Sequence, residues 1–139
     1  MSDKENSAAL DLASLDTAAL CEQGAELELT HPATGAPLGV YLTLAGVDSK
    51  SWRKATAALA EKRLGKRGKV SAEEVQTGGV EILAHCTLSW RSGLNPIVRI
   101  DGEEMPCNVN NARTLYGRFP WIFEQADRFA SDRGSYLRD

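Results

Sequence analysis

Phe119, Ile122, Phe123, Ala126, Phe129 and Ala130 recur at the three- and four-residue spacing that places side chains on one face of a helix. Pro120 opens the run: its fixed φ suits a first helical turn, where its missing N–H is not needed. Glu124, Gln125, Asp127, Arg128, Ser131 and Asp132 fill the opposite side. Trp121 sits roughly 140° away from the stripe at 3.6 residues per turn. It either covers the preceding helix near Leu115 and Tyr116 or stands as an exposed anchor, since tryptophan is enriched among interface hot spots.

The clearest β signal lies in two alternating segments, Ala25 to His31 and Gly39 to Ala45, with the turn-forming Pro32-Ala-Thr-Gly-Ala-Pro37 between them. They read as an antiparallel hairpin, which must pack on something else because two strands alone are marginal. Before it, a short helix from about Asp16 to Gln23 is capped by Asp16 or Ser14 and ended by Gly24. After it, Asp48 or Ser49 caps a helix to about Leu64, with Trp52, Ala55 and Leu59 inward.

Ser71-Ala-Glu-Glu74 has the form of a capping box and opens a third helix with Val75, Gly79, Ile82, Leu83, Cys86 and Trp90 on one face. Val80, Ile82, Ala84, Cys86, Leu88 and Trp90 also alternate as a strand would, and Gly78-Gly79 could break a helix. Close packing against a neighbouring backbone would explain the two glycines. The capping box and the length favour helix. Arg91 to Pro96 is a loop by composition, and Ile97–Ile100 with Glu103–Cys107 forms a small hairpin about the Asp101-Gly102 turn. Asn108 or Asn110 caps a short helix over 111–116, ended by Gly117. The expected fold is α+β: an N-terminal β-hairpin packed on a mainly helical domain, with a short second hairpin and an amphipathic C-terminal helix. Residues 1–8 read as disordered and 9–139 as one compact domain, which suits a chain of 139 residues.

Composition narrows function by exclusion. A net charge of −3 gives no general push toward nucleic acid or membrane. The polar start lacks an apolar signal region, and no apolar run approaches the ~20 residues that span a bilayer, so a cytoplasmic protein is expected. Three separated cysteines, Cys21, Cys86 and Cys107, do not make a disulfide framework. His85 and Cys86 are adjacent and diverge on a helix or a strand alike, so they do not form a nucleophile pair. His31 reads as structural, and the cysteine and histidine spacings carry no zinc signal. No phosphate loop, metal site or cofactor motif is present, and none of the motifs supports catalysis.

Half of the basic residues fall in positions 50–69, among them Lys62, Arg63, Lys66, Arg67 and Lys69. They read as a solvated linker between two helices or as a site for an acidic or phosphate partner; the linker reading is favoured because no aromatic residues interleave with the charges as a single-strand platform would need. Trp52 reads as core, and Trp90 as a core cap or a contact.

The order of segments carries a resemblance. Leu-Ser-Trp-Arg-Ser-Gly-Leu (88–94) is followed by Asp101-Gly-Glu-Glu-Met-Pro106, Asn110-Asn-Ala-Arg-Thr-Leu-Tyr116 and Pro120-Trp-Ile-Phe-Glu-Gln-Ala-Asp-Arg-Phe129. Asp132-Arg133 and Tyr136-Leu137 close the series. This resembles the tail assembly chaperones of long-tailed bacteriophages and prophages, best over residues 80–137. Cys107-Asn108 stands where that family often has Phe-Ser, and Ala126 where a valine is common; both leave the helical stripe intact. The resemblance implies a non-enzymatic protein of the host cytoplasm that binds the tape measure protein, helps recruit tail tube subunits, is absent from the finished virion and is in some cases also made as a longer frameshifted product. Homo-oligomers are compatible with it. Trp90, Trp121 and Tyr136 are the expected partner contacts, with Lys66 and Arg67 steering. The alternatives are a head–tail connector or tail subunit of the virion and, behind it, a nucleic-acid-binding module.

Overall fold

The computed structural model describes residues 9–65, 68 and 70–137. The expected disordered start, 1–8, and the steering residues Lys66 and Arg67 lie outside the described residues, as does Lys69. The fold is α+β, with both expected hairpins and the closing helix present.

Two side-chain caps set the early helices. Asp16 accepts the Ala19 N–H at 3.1 Å to start α1 (Thr17–Gln23), and Gly24, at φ 88°, ends it where a side chain would be strained. Strands β1 (Ala25–Thr30) and β2 (Pro37–Leu44) then pair antiparallel. Ser49 accepts the Trp52 N–H to start α2 (Lys50–Leu64). Of the two candidate caps, Asp48 serves elsewhere.

Residues 71–92 resolve the competing periodicities. The Ser71–Glu74 capping box opens α3 (Ala72–Cys86), and at Thr87 the chain turns into β3 (Thr87–Ser92). The helical pattern governs to Cys86 and the alternating one from Thr87 onward. Thr87 closes the helix by donating to the Leu83 carbonyl at 2.7 Å, and the open edge of β2 supplies the strand with a partner, Val40 to Leu44. Trp90 therefore stands in a strand instead of ending a helix, and Arg91 and Ser92 belong to β3 and not to a loop. The sheet runs β1-β2-β3, all antiparallel, with β4 (Ile97–Ile100) and β5 (Glu103–Pro106) as a separate hairpin. Asp101 and Gly102 both take positive φ at its turn, as a two-residue hairpin of matching twist requires.

Asn108, accepting the Asn111 N–H at 2.8 Å, caps α4 (Val109–Arg118). Gly117 does not end this helix, contrary to expectation. What stops it is Pro120, which forces Phe119 out of the helical region (φ −117°, ψ 87°). Helix α5 (Pro120–Ser131) follows, with Ile122, Ala126 and Ala130 buried and Phe119, Phe123 and Phe129 packed at the margin of the core.

Leu27, Leu42 and Trp90 form one row across the three strands, and Leu29, Val40 and Leu44 join them on the face covered by the helices. Tyr41, Glu26 and Arg91 take the other face: Arg91 makes two 2.9 Å bonds to Glu26 and lies 3.8 Å from the Tyr41 ring centre. That division is the alternation of a sheet with one wet side. Gly78 and Gly79 remain inside α3. A Cβ at Gly78 would come within 2.8 Å of Leu59 on α2, and one at Gly79 within 3.0 Å of Phe123 on α5. The close packing expected of these glycines is thus against side chains and not against a backbone. Among the described residues no helix is long and apolar enough to cross a membrane.

Candidate functional site

The aromatic contacts expected from sequence do not form a surface. Trp90 is 3% exposed, and its Nε1 donates to the Met105 carbonyl at 3.0 Å, tying the sheet to the second hairpin. Tyr136 is 5% exposed; its hydroxyl donates to the Leu44 carbonyl at 3.1 Å and its ring meets Phe129 edge-on. Both are corrections: the strand turns Trp90 inward, and the 3-10 turn Arg133–Ser135 folds Tyr136 back over Cys21 and Gly46. Trp121 is half-buried at the margin of the core and keeps an accessible edge. Trp52, read as core, is also half-buried.

The polar candidates fall as their spacing suggests. Cys86 is buried and points away from His85, and burial pushes its thiol up to about 12, far from a thiolate at neutral pH. His31 Nδ1 accepts the Ala33 and Thr34 amides at 3.1 and 3.3 Å, so this histidine shapes the turn between β1 and β2. Among the described residues no group of three histidine, cysteine or acidic side chains could hold a metal ion.

A site that sequence reading did not assemble lies between α2 and α3. The two helices border an open groove of about 1030 Å³. Ala55, Ala58, Leu59 and Gly78 form its floor. Lys54 and Lys62 rise from α2, and Glu73, Thr77, Glu81 and His85 from α3. Each wall follows four-residue spacing, Lys54 and Lys62 eight residues apart on one side and 73-77-81-85 on the other, which places each set along one helix face. These spacings were available in the sequence. What was missing was the pairing of the two helices, which depends on the close approach at Gly78 and on the Arg63 Nη2 bond to the Glu74 carbonyl at 3.3 Å.

At one end of the groove Arg113 reaches across from α4. Its Nε and Nη2 donate to the two Glu81 oxygens at 2.7 and 2.6 Å, and Nη1 donates to Asn110 Oδ1 at 2.6 Å. His85 Nε2 stands 3.1 Å from Glu81 Oε1. The Arg113 hydrogen bonds, with a smaller contribution from His85, hold the Glu81 carboxyl down at about 2. A carboxylate held so low is a fixed charge and a poor proton acceptor at neutral pH. The end of the groove is therefore a clamp between helices.

No protein-family model matches this chain, and neither do curated proteins or solved structures.

Proposed function

We propose that this chain is a tail assembly chaperone of a long-tailed bacteriophage or prophage, a non-enzymatic protein that acts in the host cytoplasm. It binds the tape measure protein and assists assembly of the tail tube. The observation that carries the reading is the open α2–α3 groove, whose floor is apolar and whose walls are charged. Laying an apolar helix stripe in such a groove is a recurring mode of protein recognition. Exposed apolar side chains add to it: Leu10 and Leu12 at the N-terminal turn, and Leu64, Val70 and Val75 around the α2–α3 connection. The segments that carry the family resemblance form β3, the second hairpin, α4 and α5, a contiguous run that scaffolds α3 from behind.

The groove also weighs against nucleic acid. Among the described residues no phenylalanine, tyrosine or tryptophan lines it, so it offers no stacking platform for bases.

Co-expression with helical segments of the tape measure protein from the same genome tests the reading. The expected result is a soluble complex with at least one segment, and loss of that complex in Ala58→Trp, which fills the groove from an exposed position. Purified virions should lack the protein by mass spectrometry. Stoichiometric recovery from tails would replace this reading with that of a virion subunit.

A further inference from the structure

The charges of the groove are not balanced. On the acidic wall Glu81 is taken by Arg113 and His85, and Glu74 serves the capping box by accepting the Ser71 amide. Glu73 is left with no ion pair among the described residues. On the basic wall neither Lys54 nor Lys62 has an ion-pair partner among the described residues. Lys54, Lys62, Arg63 and Arg113 outnumber Glu73, Glu74 and Glu81 in the lining, so the groove is net positive, and three of its four cations stand on α2. The two lysines are two turns apart, about 12 Å along the axis. Between them the floor is built from Ala55 and Ala58, small side chains that let another backbone come close.

We propose that the α2–α3 groove docks an amphipathic partner helix with an acidic edge. Its apolar stripe lies on Ala55, Ala58 and Leu59, and two of its carboxylates, seven or eight residues apart, meet Lys54 and Lys62. This rests on the binding-protein reading above and adds the chemistry of the occupant. A helix with carboxylates at that spacing matches the lysines in register, because residues seven or eight apart return to the same face. A basic edge would place like charges against both lysines and gain only Glu73. Docking of this kind keeps an apolar helix soluble by covering its stripe, and the charged edge selects which helix is covered.

The test uses two synthetic helical peptides of about 20 residues with the same Leu/Ala stripe. One carries glutamates two turns apart along one edge with glutamine on the other edge; the second carries lysines in their place. Titration of the full chain should show the acidic peptide binding about tenfold more tightly, the scale of two exposed charge pairs. Lys54→Glu with Lys62→Glu should reverse that preference, and Ala58→Trp should abolish binding of both peptides. Equal binding of the two peptides overturns the proposal, as does an unchanged preference in the double variant. Should the double variant not fold, the unaltered chain still decides: acidic-peptide affinity must fall as salt rises from about 0.05 to about 0.5 M, and constant affinity overturns the proposal. A concentration-dependent dimer dissolved by Ala58→Trp would assign the groove to a second copy and overturn it too. Acidic-peptide binding with no tape measure complex keeps this inference and removes the chaperone reading. A tape measure complex indifferent to Lys54→Glu and Lys62→Glu does the reverse.

Discussion

At the scale of single residues, two glycines show how burial decides the sign of one substitution. Gly46 follows β2 where the chain passes under the C-terminal turn. A Cβ there would lie 2.5 Å from Cys21 Sγ and 2.6 Å from the Tyr136 ring. Neither neighbour can yield, because Cys21 is fully buried and Tyr136 is held at its hydroxyl by the Leu44 carbonyl. Gly117 lies near the end of α4 with nothing within 4 Å of its Cβ position and no positive φ. Gly46→Ala is expected to destabilise the fold by about 3 kcal/mol, the upper part of the range for overpacking a core. Gly117→Ala should instead stabilise it by about 0.5–1 kcal/mol, since alanine loses less backbone entropy in a helix. Urea denaturation of both variants checks the pair, and equal effects would show that the contacts at Gly46 relax freely.

Among elements, the informative contact is the one between α5 and the edge of the sheet. Gln125 projects from α5 toward β1, where its Oε1 accepts the Thr30 N–H at 3.0 Å and its Nε2 donates to the Thr30 carbonyl at 2.9 Å. The amide does for Thr30 what a neighbouring strand would do, just after the irregularity in the β1–β2 register between Glu28 and Thr30. Gln125→Ala leaves a partly buried donor and acceptor unmatched and should cost about 1–3 kcal/mol by thermal denaturation. Gln125→Glu should not restore it, because a second carboxylate oxygen would face the Thr30 carbonyl. Full stability in either variant would mean that water replaces the amide at no cost. This contact was not legible in the sequence, where Gln125 counted only as polar filler on the outer side of α5. The elements themselves were legible wherever a side-chain cap preceded an apolar run, as at Asp16, Ser49, Ser71 and Asn108. Legibility failed where the deciding partner was remote. Val80 to Trp90 carries both periods, and only the open edge of β2, more than forty residues earlier, makes a strand of its second half. The same failure turned Trp90 from a surface candidate into core and hid the groove, which exists only once α2 and α3 face each other.

Across the molecule, the Asp48–Arg133 and Glu81–Arg113 ion pairs each clamp segments distant in sequence, and both depend on carboxylates. Asp48 accepts Arg133 Nε and Nη2 at 2.6 and 2.8 Å and Thr17 Oγ1 at 2.6 Å, gathering α1, the turn before α2 and the C-terminal turn. Glu81 joins α3 to α4 through Arg113. Hydrogen bonds from Arg133 first, then Thr17, lower Asp48 from its ordinary 3.8 to about 2, and those from Arg113 lower Glu81 from 4.5 to about 2. Arg91 and Arg118 lower Glu26 and Asp101 in the same direction, whereas burial raises Asp127 and opposes them. A carboxyl depressed in the folded state contributes stability that is fully present above its unfolded pKa and is lost as pH falls through the folded one. The window for both clamps therefore runs from about pH 4.5 down to about pH 2. The urea midpoint of the unaltered chain should hold near neutral pH and fall through that window. Asp48→Asn with Glu81→Gln should start lower at neutral pH and fall less, because the groups that lose charge on acidification are already gone. The single variants locate the loss. Asp48→Asn frees the C-terminal turn that carries Tyr136, and Glu81→Gln loosens α3 against α4 at the end of the groove. If the double variant tracks the unaltered chain at every pH, the clamps contribute nothing measurable, and acid sensitivity must come from the other carboxylates.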